Sequence, residues 1–311
     1  MKRILLITCL ACIVALSACL QSQNTTKPAE TTPSTLVAKT ATKLGTLPPE
    51  KVTPISTLSE AEARLLLSDL LKDNNNCQLP CWWGIVPGES APTDLHNALI
   101  PISSITDTSL LFANSGSVDI LYPQNDWLIN IVLSFEADDS NNLVYIIIIR
   151  TQAFPVNRNV ISKDRYSAVE YRDTLRAYTL ANILSDYGPP SQILARADLY
   201  NSSQLPDTFE LTLLYPEIGL FIRYNTLAEK NNDRIRSCPS SAFIELWLLS
   251  PDNKESYQTI LSSKDATWEG NFPYSKPLED VASITLDEFY QTFKKPSDNC
   301  LETPLNVWPG H

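Results

Sequence analysis

Histidine is nearly absent from this chain, since only His96 and His311 occur among its 311 residues. Two histidines leave little material for a histidine-based metal site or for a Ser-His pair, and no Gly-x-Ser-x-Gly elbow accompanies His96. The Gly-rich phosphate loop and the dinucleotide fingerprint are also missing from the sequence. His96, on a short polar helix, is interpreted as a solvated side chain. The sequence therefore predicts no cofactor, no metal and no recognisable catalytic group.

Basic residues are scarce relative to acidic ones. The chain has 24 Lys and Arg against 35 Asp and Glu, for a net charge of -11. Binding of a phosphate backbone depends on its neutralisation by Lys and Arg, so nucleic acid is excluded as a partner. An anionic bilayer surface would repel the chain for the same reason.

Long apolar runs are limited to the N-terminus. Residues 4–15 carry no charge and follow Lys2 and Arg3, but a membrane span takes about 20 apolar residues, so this layout is that of a secretory signal over residues 1–18. The run ends in the quartet LSAC, residues 16–19, which resembles the lipobox of bacterial lipoproteins. That resemblance implies cleavage before Cys19 and its lipidation, with the chain held to the cell membrane or the outer membrane and facing the extracytoplasmic space. An ordinary signal peptide with an incidental Cys19 thiol is the alternative.

Aromatic residues are missing from residues 20–56, which hold nine Thr and five Pro. Such a segment buries too little apolar surface to offset the entropy of ordering it. Residues 19–56 are therefore expected to form a disordered, lipid-anchored stalk, and the folded part should begin near Thr57.

The folded part combines helical and strand patterns. Ser59 and Glu62 form a capping box that opens a helix, and Thr285 and Glu288 form another before an aromatic helix that should dock on the sheet. Residues 127–136 and 143–150 read as an antiparallel hairpin with a polar turn. The later half shows a helix at 173–187 and strands at 191–197, 208–215, 220–224 and 242–249. This pattern predicts an α+β fold, an antiparallel sheet with helices on one face.

The two halves echo each other, and both carry Gly-Pro turns beside helices, as in GIVPG at residues 84–88 and YGPP at residues 187–190. These segments resemble small envelope lipoproteins, namely the assembly-machine lipoprotein of the outer membrane and the β-lactamase-inhibitor-like tandem domains. The resemblance implies two tandem helix-plus-meander units, at 57–160 and 161–311, that mediate protein–protein contact and catalyse nothing.

Cysteines left after signal cleavage, besides Cys19, are Cys77, Cys81, Cys238 and Cys300. Four cysteines in an exported protein indicate two disulfides, with three possible connectivities. The preferred pairing is Cys77 with Cys81 and Cys238 with Cys300. A redox site would have two residues between its cysteines, and a zinc site would need close pairs on both sides, so both readings are less favoured.

The tryptophans are the remaining candidates for a binding role. If Trp82 and Trp83 are extended, their side chains point to opposite faces, one into the core and the other to the surface or under a loop. Trp268 lies in the aromatic loop sequence ATWEGNFPY. An exposed member of this set could bind a sugar or a peptide. A large aromatic side chain more often packs in the core without binding a ligand.

Together these features predict a membrane-anchored, non-enzymatic lipoprotein that binds an envelope protein or glycan. The alternative is an extracytoplasmic hydrolase with two catalytic carboxylates. The fold would bring such a pair together, so their spacing in the sequence does not identify them. The sequence does not determine the oligomeric state.

Overall fold

The computed structural model describes residues 56–111, 114–156, 169–200, 206–252 and 274–308. Its α-helices in these ranges are α1 Glu60–Asp73, α2 Pro92–Leu99, α3 Val169–Thr174, α4 Leu180–Tyr187, α5 Leu278–Val281 and α6 Leu286–Phe293. Its strands are β1 Thr106–Leu111, β2 Ser115–Gln124, β3 Trp127–Asp138, β4 Leu143–Pro155, β5 Gln192–Asp198, β6 Thr208–Tyr215, β7 Leu220–Asn231, β8 Arg234–Ser237, β9 Phe243–Leu249, β10 Lys276–Pro277 and β11 Leu301–Pro304.

These strands form one antiparallel sheet. Its main path runs β1-β2-β3-β4-β9-β7-β6-β5-β10, and β8 pairs with β7 and with β11 as a side extension. The four-stranded meander β1 to β4 therefore meets the strands of the later half where β4 pairs with β9. An α+β fold with an antiparallel sheet is confirmed.

The main core lies between the helices and one face of the sheet. Inward residues of the strands, such as Ile131 and Leu213, share a buried cluster with Leu67 of α1, Leu184 of α4 and Phe289 of α6. This arrangement follows from the period of two along each strand, which sends alternate side chains to one face.

The opposite face of the sheet carries a second buried apolar cluster. Within the described residues it consists of strand side chains alone, including Ile148, Phe221 and Trp247. All four isoleucines of Ile146, Ile147, Ile148 and Ile149 are buried. Side chains on both faces of β4 are therefore buried over these four residues.

Both predicted capping boxes are present. The Ser59 amide donates to the Glu62 carboxylate at 3.0 Å, and the Thr285 amide donates to Glu288 at 2.8 Å. Each cap satisfies a backbone N–H that the helix itself leaves without a partner. These local bonds explain why α1 and α6 begin where the sequence predicts.

The single helix predicted at 173–187 is instead broken in two. α3 ends at Thr174, a 3-10 turn covers Arg176–Tyr178, and α4 begins after Thr179, whose backbone is extended. The reason is side-chain competition for one carbonyl: Arg176 O accepts from Thr179 Oγ1 at 2.9 Å and from Asn182 Nδ2 at 2.7 Å. Such bonds offer the backbone an alternative to the helical ladder.

Candidate functional site

Both disulfides join the predicted partners. Cys77 and Cys81 are bonded with their Cα atoms 5.6 Å apart, and Cys238 and Cys300 with theirs 4.1 Å apart. The first closes a corner after α1, where the side-chain amide of Asn74 donates to the carbonyls of Cys77 and Cys81 at 2.6 and 2.8 Å. The second ties the end of β8 to the segment before β11. Both are accounted for as structural staples.

The tryptophan pair beside the first staple is buried, so neither ring lies at the surface as was expected for one of them. Trp82 and Trp83 are 1% and 6% exposed, and their rings stack with centroids 3.6 Å apart. They do not point to opposite faces because Trp83 has a left-handed backbone, with φ of 54°. Its indole N–H donates to the Leu70 carbonyl at 3.3 Å, which ties the pair to α1. Trp268, the third candidate, lies outside the described residues.

A row of alternating charges crosses the helix-free face of the sheet from β4 to β5. Glu245 accepts from Arg150 at 2.7 Å and from Arg223 at 3.2 Å. Arg223 and Arg196 then approach Glu210 at 3.7 and 3.9 Å. We call these five residues the charge ladder. Its register follows from the strand pairing, since Glu245 stands opposite both Arg150 and Arg223.

Glu245 is the most unusual carboxyl of the ladder. Burial raises its pKa, and the neighbouring Arg223 and Arg150 lower it again in part. A perturbed carboxyl can mark a catalytic acid or base. Here, however, each carboxylate oxygen is held by an arginine, and the guanidinium of Arg223 also lies 4.6 Å from the ring centre of Trp247. This geometry makes Glu245 part of the internal packing of the sheet.

An open cleft of about 380 Å³ lies on the helical side of the sheet. Its walls come from α3 and α4, from the turn that follows Cys238, and from the residues between α6 and Cys300. The apolar part of its lining includes Tyr224, Ile244 and Phe293. The Tyr224 hydroxyl donates to the Tyr178 carbonyl at 3.0 Å, and burial raises its pKa. The hydroxyl of Tyr224 therefore stays protonated, and its hydrogen bond fixes the ring in the cleft.

The charged residues of the cleft are mostly cationic. Arg172, Arg176 and Lys295 contribute to its lining, together with the exposed carboxylates of Asp173 and Asp298. Within the described part of the chain, the three cations form no ion pair within 4.0 Å. A neighbouring hollow shares Arg176 and adds Lys72. A local excess of positive charge is notable in a chain with a net charge of -11.

The start of α4 adds polar groups to the same wall. Thr179, the residue that precedes α4, makes no capping bond to the helix because its hydroxyl donates to Arg176 O. Ala181 and Asn182, in the first turn, line the cleft. Asn182 is oriented by its bond to Arg176 O, which leaves its side-chain oxygen as an acceptor. The helix break thus shapes both the wall and its polarity.

Sequence reasoning missed this cleft. The sequence pattern gives Lys295 no role in a site, and it does not single out Arg172 and Arg176. Their spacing of four was a weak signal, because charges at that spacing are usual on any exposed helix face. The cleft forms only because the order of strands places the C-terminal segment beside α3 and α4.

The remaining predicted features lie partly inside the described ranges and partly outside them. His96 is exposed on α2. Within the described ranges, no group of three or more His, Cys, Asp or Glu residues could hold a metal ion. No helix in those same ranges has the length and apolar character needed to cross a bilayer. Cys19 lies outside the described residues. Comparison of the chain with protein-family models, with curated proteins and with solved structures finds no match.

Proposed function

We propose that this chain is a membrane-anchored extracytoplasmic lipoprotein whose folded part binds an envelope protein or glycan without catalysis. The observation that carries the proposal is the quartet LSAC, residues 16–19, at the end of the apolar run. Processing there leaves Cys19 as the lipidated N-terminal residue. More than one acyl chain on that residue supplies the two signals that stable anchoring needs.

Two disulfides support the extracytoplasmic location. Disulfides persist in oxidising compartments and are rare in the cytosol. Cys77–Cys81 and Cys238–Cys300 both lie in the folded part, so that part faces the oxidising side of the membrane in this proposal. The segment 19–56 serves as the stalk between the lipid and the domain.

Two features favour a binding role for the folded part. The cleft beside Cys238–Cys300 combines apolar lining with cationic side chains, the mixture by which a site selects and orients a ligand. Glu245, whose raised pKa would otherwise suggest a catalytic acid, is held by Arg150 and Arg223. The hydrolase alternative draws no comparable support from the described residues.

The lipid anchor is tested by replacing Cys19. The Cys19→Ala chain, expressed at full length in a bacterial host, should move from the membrane fraction to the soluble fraction. Cys12→Ala is the matched control, because Cys12 lies in the same apolar run but outside the quartet, and it should remain membrane-bound. If Cys19→Ala stays in the membrane fraction as firmly as Cys12→Ala, the anchor proposal is wrong.

Binding is tested with the same soluble chain. Cross-linking to isolated envelope should give one saturable product that an excess of unlabelled chain removes. Turnover of ester or glycoside substrates by the purified chain, without a saturable partner, would instead favour the hydrolase.

A further inference from the structure

The size of the cleft limits what it can hold. Its volume of about 380 Å³ is near the lower end of the range of ligand pockets, which is about 300–1,000 Å³. An apolar side chain with a short stretch of backbone fits such a volume, whereas a long oligosaccharide would not. Tyr224, Ile244 and Phe293 provide apolar contact for that side chain.

The charge of the cleft favours an anion, because its lining has three cationic side chains against the two exposed carboxylates of Asp173 and Asp298. Arg172 lies on α3, Arg176 lies in the 3-10 turn just after it, and Lys295 follows α6; all three contribute to one lining. An arginine can bind a carboxylate through two parallel N–H bonds, and charge-assisted bonds are stronger than neutral ones. Because no carboxylate of the described residues pairs with these three cations within 4.0 Å, a ligand carboxylate would not have to displace an internal partner.

The polar groups of the lining suit a peptide. The side-chain oxygen of Asn182 can accept from a backbone N–H, and the hydroxyls of Ser240 and Ser297, which are half-buried in the same lining, can donate to a carbonyl. These groups complement an amide next to the anion.

We propose that the cleft binds the free C-terminal carboxylate of a peptide whose last side chain is apolar. This inference rests on the proposed binding function and names the ligand chemistry of the cleft. The carboxylate contacts Arg172, Arg176 and Lys295, and the last side chain packs against Tyr224 and its apolar neighbours.

Calorimetric titration of the full-length chain tests the inference. The probe is acetyl-Ala-Ala-Phe with a free carboxylate, and the comparison is the same peptide with a C-terminal amide. The acid should bind at least about tenfold more tightly, a difference of about 1.4 kcal/mol. Arg176→Gln and Lys295→Gln should each weaken binding of the acid several-fold, because each removes one charge-assisted contact. Arg234→Gln is the matched control, since Arg234 is exposed on β8 and lines no part of the cleft.

Circular dichroism should show that the three variants remain folded. Equal affinity for acid and amide, or no effect of Arg176→Gln and Lys295→Gln, would overturn the inference. If 3-phenylpropionate binds as tightly as the tripeptide acid, the cleft recognises a small aromatic acid without the peptide backbone, and the peptide assignment is wrong. Failure in this titration leaves the anchor and cross-linking experiments unaffected, so the two proposals fail separately.

Discussion

Individual residues decide where regular structure stops in this protein. Thr179 and Asn182 bond the Arg176 carbonyl and end the helical ladder between α3 and α4. Trp83 adopts a left-handed backbone and turns its ring onto Trp82. Neither feature can be predicted from the sequence. Thr and Trp both occur in helices and in strands, so their propensities indicate no break at these positions. Each depends on a hydrogen bond or a ring contact that the folded chain supplies.

Within the charge ladder, replacement of Arg223 should reduce the free energy of unfolding the most. Its side chain is 6% exposed and lies between Glu245 and Glu210. Arg223→Met should lower the free energy of unfolding at neutral pH by about 3 kcal/mol or more, because it leaves buried Glu245 with Arg150 as its remaining charged partner. Urea unfolding measures this change, and Arg234→Met on the exposed side of β8 should have almost no effect.

The same variant should show a changed pH dependence. Removing Arg223 raises the pKa of Glu245 further above its unfolded value, because an attractive positive charge is lost. A carboxyl whose folded pKa is raised stabilises the fold below its unfolded pKa and loses that contribution as the pH rises through the folded pKa. The deficit of Arg223→Met should therefore grow as the pH rises above the unfolded pKa of a glutamate, about 4.3, and through the raised folded pKa of Glu245. A deficit that shrinks over this range would contradict the assignment.

Whole elements are predicted best where one local pattern sets both their ends and their buried face. α6 begins at the capping box of Thr285 and Glu288 and buries Phe289 and Phe293, as expected for an aromatic helix that docks on the sheet. β3 and β4 likewise follow their β-branched runs. β8 and β11 were missed because strands of four residues carry too little pattern to stand out, and they form only by pairing with each other and with β7.

The docking of α6 has a measurable consequence. Phe289 is 0% exposed and its ring centre lies 4.7 Å from that of Phe293. Phe289→Ala should lower the free energy of unfolding by about 3–5 kcal/mol, since it removes buried surface and leaves a cavity. Gln291→Ala, on the exposed side of the same helix, should change it by less than about 0.5 kcal/mol. Equal effects in thermal or urea unfolding would show that α6 is peripheral to the core.

The molecule as a whole is held by contacts between segments far apart in the chain. β4 and β9 join the strands of the two halves, and Cys238–Cys300 connects β8 to the chain just before β11. The same disulfide stands beside the cleft, whose walls come from α3, α4 and the residues after α6. The candidate site therefore depends on long-range connections more than on any one element.

The two disulfides should differ in their effect on stability. Cys238 and Cys300 are 62 residues apart, and Cys77 and Cys81 are 4 apart. In the chain-entropy model, replacing Cys238 and Cys300 by serine should lower the free energy of unfolding by about 4 kcal/mol. Replacing Cys77 and Cys81 should lower it by about 2 kcal/mol, because the shorter loop restricts the unfolded chain less. Urea unfolding of the two double variants gives the comparison. A larger loss from Cys77→Ser with Cys81→Ser would mean that the corner around Asn74 matters more than loop length.

The sequence by itself determined the features that local chemistry controls. These are the capping boxes, the hairpin of β3 and β4 and the α+β class; for the cysteines, the sequence favoured the observed pairing among three possible connectivities. The tertiary structure alone decided the burial of Trp82 and Trp83, the order of the strands, the charge ladder and the convergence of Arg172, Arg176 and Lys295. The physical reason is that caps and strand periods act over a few residues, whereas a cleft and a sheet order arise when distant segments are brought together to bury apolar surface, which no local pattern encodes.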